Sequence, residues 1–220
     1  MTEPMRKVLV SDFDGTMTRR DFYQLVAERL LPPGTPDYWG DYRAGRLTHF
    51  DALNAYFAAA VADEGALREI ARDMGLDPDL RDDVRRLRSA GWAVVVASAG
   101  CAWYISRLLH EAGVVLQVHA NPGEVVDGRL VMELPRTSPV FSPSTGIDKP
   151  GVVRLALATH DVVAFAGDGP PDLDPVLLVR PELRFATGHL AGELERLGEG
   201  FHRFERWSEV ARTLAGGEVA

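Results

Sequence analysis

An apolar run, Val8-Leu9-Val10, breaks at once into Ser11-Asp12-Phe13-Asp14-Gly15-Thr16. Aliphatic and β-branched residues running into a polar turn predict a strand and its exit loop. No strand-like run then occurs until about residue 90. Phe22, Leu25, Val26 and Leu30 recur at helical spacing until Pro32-Pro33-Gly34 stops them. Phe50, Leu53 and the apolar stretch 55–61 predict a second helix, and Leu67, Ile70, Ala71 and Met74 a third. Pro78 opens a fourth, with Leu80, Val84 and Leu87 on one face and Gly91 at its end.

The pattern changes at Trp92. Residues 92–97 are almost continuously apolar, as in a strand buried on both faces. Ser98-Ala99-Gly100 follows as a turn into a helix over 102–111, closed by Gly113. Residues 114–118 read as another strand. Val125-Val126-Asp127-Gly128-Arg129-Leu130-Val131 is an Asp-Gly hairpin. After a loop over 135–143 come a helix at 150–159, a strand at 162–166 ending in Gly167-Asp168-Gly169, a short strand at 183–186, and helices at 189–197 and 207–214. Strand alternating with helix predicts an α/β fold, a parallel sheet with helices on both faces. A helical block over 18–78 interrupts it after the first strand.

Composition narrows the function. The 220 residues suffice for one core with a modest insertion. A net charge of −8 argues against nucleic-acid binding, which needs a basic field. No apolar run approaches the roughly 20 residues of a membrane span. The N-terminal segment lacks the pattern of a signal peptide, and a lone cysteine, Cys101, allows no intramolecular disulfide. A soluble cytoplasmic protein, monomer or homodimer, is expected, with a small molecule as its partner. Of the 24 basic residues only Lys7 and Lys149 are lysines, so a lysine here points toward a role for a compact ammonium.

Open parallel sheets bind ligands beyond the carboxyl ends of their strands. Three predicted strands end in polar groups there: Asp12 and Asp14, Ser98, and Asp168 with Asp172 four residues on. Carboxylates gathered on one rim repel and call for a cation, and oxygen-only donors suit Mg²⁺ beside a phosphate. One carboxylate can then attack phosphorus while a second gives a proton to the leaving oxygen and later takes one from water. Ser98, the amides of Ala99 and Gly100 at a helix start, and Lys149 are suitable donors to phosphate oxygens.

Four segments, taken together, resemble the motifs of the haloacid-dehalogenase-like phosphohydrolase superfamily. They are Asp12-Phe13-Asp14-Gly15-Thr16, Ser98 after Val94-Val95-Val96-Ala97, Lys149 in Ile147-Asp148-Lys149-Pro150, and Gly167-Asp168-Gly169-Pro170-Pro171-Asp172. The resemblance implies a Rossmann-like three-layer core over 1–17 and 79–220 and a helical cap over 18–78, as in the phosphoserine-phosphatase-like branch. It implies Asp12 as aspartyl-phosphate nucleophile, Asp14 as general acid and base, and Ser98 and Lys149 as phosphate binders. Mg²⁺ would be held by Asp12, the Asp14 carbonyl and Asp168, with Asp172 in support. Within the branch, the cap segment Tyr42-Arg43-Ala44-Gly45-Arg46-Leu47-Thr48, the step His119-Ala120-Asn121 and the hairpin before Lys149 are similar to 2-hydroxy-3-keto-5-methylthiopentenyl-1-phosphate phosphatases of methionine salvage. Gly169 stands where relatives often carry serine, and no cysteine precedes the lysine.

The expectation is therefore a Mg²⁺-dependent phosphomonoesterase acting on a small phosphorylated metabolite. From the cap, Arg43, Arg46 and His49 are candidate substrate contacts, with solvated surface as the plainer reading of the arginines. Cys101, at a helix start that would lower its pKa, is more simply a buried filler, and Phe201, Phe204 and Trp207 are core. Three rivals stand beside this. One is a phosphoserine or sugar-phosphate phosphatase. Another is a phosphotransferase or mutase on the same scaffold. The third is a receiver-like or ligand-binding module without turnover. An EF-hand over Asp12-x-Asp14 fails, because Met17 and Tyr23 stand where Gly and Glu are needed.

Overall fold

The computed structural model describes residues 6–216. Most of the N-terminal segment read for a signal peptide lies outside them. In chain order the elements are β1 (Lys7–Ser11), α1 (Phe22–Arg29), α2 (Tyr38–Arg43), α3 (His49–Ala59), α4 (Glu64–Asp73), α5 (Leu80–Ser89), β2 (Trp92–Cys101), α6 (Ala102–Glu111), β3 (Gln117–Asn121), β4 (Gly123–Val126) and β5 (Arg129–Met132). There follow β6 (Phe141–Ser142), β7 (Gly146–Ile147), α7 (Lys149–Thr159), β8 (Val162–Gly167), α8 (Leu173–Leu177), β9 (Arg184–Ala186), α9 (Gly188–Leu197), β10 (His202–Arg203) and α10 (Trp207–Gly216).

Six strands form one parallel sheet in the order β10-β9-β8-β1-β2-β3. This is the expected α/β core. Successive side chains of a strand point to opposite faces. Leu9 accordingly joins one apolar core with α5, α6 and α10, while Val8 and Val10 join another with α7 to α9. β1 lies in the middle, with Ser11 opposite both Val96 and Ala166. The loops after β1, β2 and β8 therefore leave the sheet side by side.

The helices α1–α4 leave and return through paired chain segments. Thr18 bridges Leu76, and the Asp77 amide donates to Met17 O at 2.9 Å. Their apolar faces, including Phe22, Phe57 and Leu67, continue the Leu9 core. The β4–β5 hairpin turns at Asp127 and Gly128, both with positive φ, as its Asp-Gly pair requires. It clasps α3 and the segment after it: Met132 N donates to Asn54 Oδ1 at 2.8 Å, and Ala62 N to Gly128 O at 2.9 Å.

Two expectations need correction, and one helix was missed. The strand placed at 114–118 is β3 at Gln117–Asn121, so His119-Ala120-Asn121 lies within it. Val114 instead closes the end of α6, donating to Leu109 O, and Val115 is 80% exposed, so the apolar run is a crossover. Ser98-Ala99-Gly100 is extended backbone inside β2, in the gap where pairing with β3 lapses between Ala97 and Cys101. Ala99 and Gly100 thus precede the helix start rather than form it. Finally α2, capped by Asp37 on the Gly40 amide, was not foreseen. It buries no side chain, so no apolar periodicity marked it.

Candidate active site

Asp12 leaves the end of the central strand, and its amide still donates to Ala166 O of β8 at 2.9 Å. The loop is tied down from beneath. Trp207 Nε1 donates to Ser11 Oγ at 3.0 Å, and that hydroxyl donates to Asp12 O at 2.8 Å. Asp168, Asp172 and Asp12 each place a carboxylate oxygen within 4.8 Å of the others. Lys149, at the first turn of α7, places Nζ 2.9 Å from Asp12 Oδ2 and 2.7 Å from Asp172 Oδ1. The second oxygen of Asp172 accepts the amides of Asp168 at 3.2 Å and Gly169 at 3.0 Å, which fixes the loop after β8. Thr16 Oγ1 donates to Asp168 Oδ1 at 3.0 Å.

Burial and crowding dominate the electrostatics. Burial raises the Asp12 carboxyl well above the ordinary range, and Asp172 adds to this, while Lys149 pulls it back. Burial and Asp172 likewise push Asp168 up to about 7. Burial alone would lower Lys149, but Asp12 and Asp172 more than reverse it, so the ammonium stays charged. One ammonium among three acids leaves a surplus of negative charge. That surplus and the all-oxygen donor set fit a hard divalent cation held by Asp12, Asp168 and Asp172.

Asp14 takes a different direction. Its Oδ1 accepts the Phe22 amide at 3.1 Å, and its Oδ2 accepts Tyr104 OH at 2.9 Å, with Ser98 Oγ at 3.5 Å. Burial and then the nearby Asp21 raise it to about 7. Its side chain is outside the three-acid cluster, which leaves only its carbonyl for a metal. Ser98 Oγ accepts the Gly100 amide at 3.0 Å, so that amide is engaged within its own segment. The Ala99 carbonyl is drawn to Asn121 Nδ2 at 2.7 Å, and the same amide group holds Thr145 O at 3.0 Å.

The cap candidates divide. Arg43 and Arg46 are exposed, and each pairs with a carboxylate of its own segment, Asp37 and Asp41. His49 instead packs against Trp39 and Tyr42, with Nδ1 buried and without a partner. Burial, then the charge of Lys149, pushes it down to about 4, so it is neutral near pH 7. Phe50 N, the next amide, donates to Ser144 O in the loop before Lys149. Cys101 is the buried filler expected: burial pushes its thiol up to about 12, against the lowering that a helix start would give. Phe204 and Trp207 are buried as expected, and Phe201 packs only at the margin.

Two residues escaped the sequence reading. Asp21 caps α1 by accepting the Tyr23 amide at 2.6 Å, and burial raises its carboxyl. It lines a cleft of about 540 Å³ with Thr16, Gln24, Asp168 and Arg206. Its cap signal was present in Asp before an apolar helix, but nothing local says that the helix returns to Asp14. Tyr104 is the other. Helical spacing puts it on the buried face of α6, and only the fold aims its hydroxyl at Asp14.

The family model for haloacid dehalogenase-like hydrolases matches residues 9–174, three-quarters of the chain. The chain belongs to this family. Among solved structures, this hydrolase is similar to a HAD family hydrolase from Salmonella enterica serovar Typhi, with 17% identity, TM-score 0.71 and coverage of 99% of this chain and 74% of the other. It is similar to a phospho-aspartyl intermediate analogue of phosphoserine phosphatase, with 15% identity, TM-score 0.68 and coverage of 95% and 99%. It is also similar to a phosphoserine phosphatase from T. onnurineus, with 19% identity, TM-score 0.65 and coverage of 98% of each chain. At these identities the likeness is one of fold. No curated protein matches the hydrolase. Among the described residues no helix is long and apolar enough to cross a membrane.

Proposed function

We propose that this hydrolase is a divalent-metal-dependent phosphomonoesterase acting on a small phosphorylated metabolite. The observation that carries this is the convergence of Asp12, Asp168 and Asp172 on Lys149 at the end of the central strand. Lys149 engages Asp12 Oδ2, and the other oxygen, Oδ1, is the attacking atom. As the bond from Oδ1 to phosphorus forms, the bond from phosphorus to the ester oxygen breaks, and Asp14 gives that oxygen its proton. Water then attacks phosphorus, Asp14 takes a proton back, and the acyl phosphate bond breaks to free phosphate and Asp12. A value near 7 lets Asp14 serve in both directions. Asp12, the Asp14 carbonyl and Asp168, with Asp172 in support, would hold Mg²⁺, which would supply charge neutralisation at the phosphoryl group. Lys149 and Ser98 hold the phosphate oxygens, with the Ala99 amide beside them, while the Gly100 amide steadies Ser98 Oγ.

The helices within 18–78 act as a cap over the remaining 1–17 and 79–220, and the paired segments at Thr18 and Leu76 are its hinge. Substrate choice falls to this cap. Among its residues that feel the charge of Lys149 is neutral His49, backed by aromatic rings, which favours an uncharged leaving group. 2-Hydroxy-3-keto-5-methylthiopentenyl-1-phosphate, the substrate suggested by the sequence likeness, meets that description. Phosphoserine is the second reading, favoured by Asp21, whose carboxylate suits an amine. Phosphate release from a panel of esters with Mg²⁺ tests the proposal. Turnover that requires the metal and vanishes in Asp12→Asn is expected. Full activity in that variant, or no ester turned over by the wild type, would sink it.

A further inference from the structure

Asp14 is gripped from two bodies at once. One oxygen accepts the Phe22 amide at 3.1 Å, the first residue of α1 beyond the hinge. The other accepts Tyr104 OH at 2.9 Å, from α6 on the sheet side. The two partners also grip each other, for the Phe22 and Tyr104 rings stack with centroids 4.3 Å apart. Phe22 in turn meets Phe57 of α3 edge-on at 5.4 Å. Gly100 makes room for the phenol: a Cβ there would fall on Tyr104 OH and lie 2.9 Å from Asp14 Oδ2. Tyr104 is 1% exposed, so its hydroxyl has no water to turn to, and a buried hydroxyl is costly without a partner.

We propose that Tyr104 is a positioning residue that fixes Asp14 Oδ2 toward the leaving oxygen, and that Phe22 makes this grip depend on the seating of α1. The inference rests on the phosphatase reading and adds to it a group that touches no substrate. With the phenol gone, Asp14 keeps the Phe22 amide and, on the other oxygen, only the long contact from Ser98 Oγ at 3.5 Å, and can swing about the amide. A carboxyl displaced by an ångström loses on the order of 100-fold in proton delivery. The loss falls on esters whose leaving oxygen needs a proton. An aryl leaving group such as p-nitrophenolate departs without one.

The test compares first-turnover rates of Tyr104→Phe and wild type by rapid mixing, on an alkyl phosphate and on p-nitrophenyl phosphate. The Phe variant keeps the stack with Phe22. The expected result is a fall of about 10- to 100-fold with the alkyl ester and at most about threefold in the p-nitrophenol burst. Equal losses on both esters, or none on either, would overturn the role of Tyr104 alone. An inactive wild type would remove the phosphatase reading with it. If Tyr104→Phe does not fold, Phe22→Leu keeps the phenol but loosens its stack, and the same selective loss, about threefold, is expected. Absence of that selectivity would likewise refute the proposal.

Discussion

Lys149 and Asp12, 137 positions apart in the sequence, meet as an ion pair with Nζ 2.9 Å from Oδ2, and both side chains are below 10% exposed. A buried pair of this kind returns little net stability, but breaking it leaves a charge with no partner. Here the cation also serves Asp172, so its loss would strand two acids.

Lys149→Met is therefore expected to cost about 3–5 kcal/mol at neutral pH. The loss should shrink in mild acid, where Asp12, whose carboxyl burial already raises, takes up a proton. Urea unfolding at pH 5 and pH 7.5 measures both values. An equal loss at the two pH values would show that the lysine matters for packing rather than charge.

Stability of the metal-free protein should fall as pH rises through neutrality. Asp168 moves from an ordinary 3.8 to about 7 on folding, and Asp14 does the same. The native state thus keeps protons that the unfolded chain gives up from about pH 4 upward. Their contribution is whole below that point and is lost as pH climbs through 7. Asp168→Asn removes one such group. Without metal, it should be more stable than wild type at pH 8, by the order of 1–3 kcal/mol, and no more stable at pH 4. Thermal melts in chelator across that range decide it.

Mg²⁺ should reverse that trend. A ligand that binds only the native state stabilises by about 2.7 kcal/mol at 100 times its Kd. Wild-type Tm at pH 8 should rise with Mg²⁺ and fall back with chelator, while Asp168→Asn should respond weakly. A wild-type Tm indifferent to Mg²⁺, Mn²⁺ and Ca²⁺ would count against a metal at Asp12, Asp168 and Asp172.

The sequence made the sheet legible because its central strands are buried on both faces. Val8-Leu9-Val10 and residues 162–166 have no polar interruption, and acids mark their exits. The Asp127-Gly128 turn was legible because two adjacent positive φ angles leave few residue choices. Where burial is partial, the signal failed. β3 lies at the sheet edge with mostly half-buried residues, so the more apolar Val114-Val115-Leu116 outweighed it. Motif order located Asp12, Asp14, Lys149 and Asp168, but it could not say which acid faces which partner. The Tyr104 and Asp21 contacts depend on how α6 and α1 pack, which no local spacing encodes. Spacing alone also could not announce the partners of Arg43 and Arg46, which pair with Asp37 and Asp41 of the same polar segment.

Two glycines should separate stability from chemistry. Gly15 and Gly146 both hold left-handed backbone, with φ of +70° and +79°. An added methyl costs each about 1 kcal/mol or more in backbone strain alone. The neighbours then differ. At Gly146 the methyl would collide with Asn121, which is fully buried and bound to the carbonyls of Ala99 and Thr145, so it cannot yield. At Gly15 it would strike the Asp168 carboxylate, which borders the open cleft and can turn at the expense of its bond from Thr16. Gly146→Ala should lose several kcal/mol in all, with an inactive or insoluble product. Gly15→Ala should stay folded, with Tm lower by only a few degrees, and lose phosphatase turnover about 100-fold or more through misplaced Asp168. Melting curves and kcat for both variants test the contrast. A Gly15→Ala enzyme that keeps wild-type turnover would mean that Asp168 need not stand where the structure puts it.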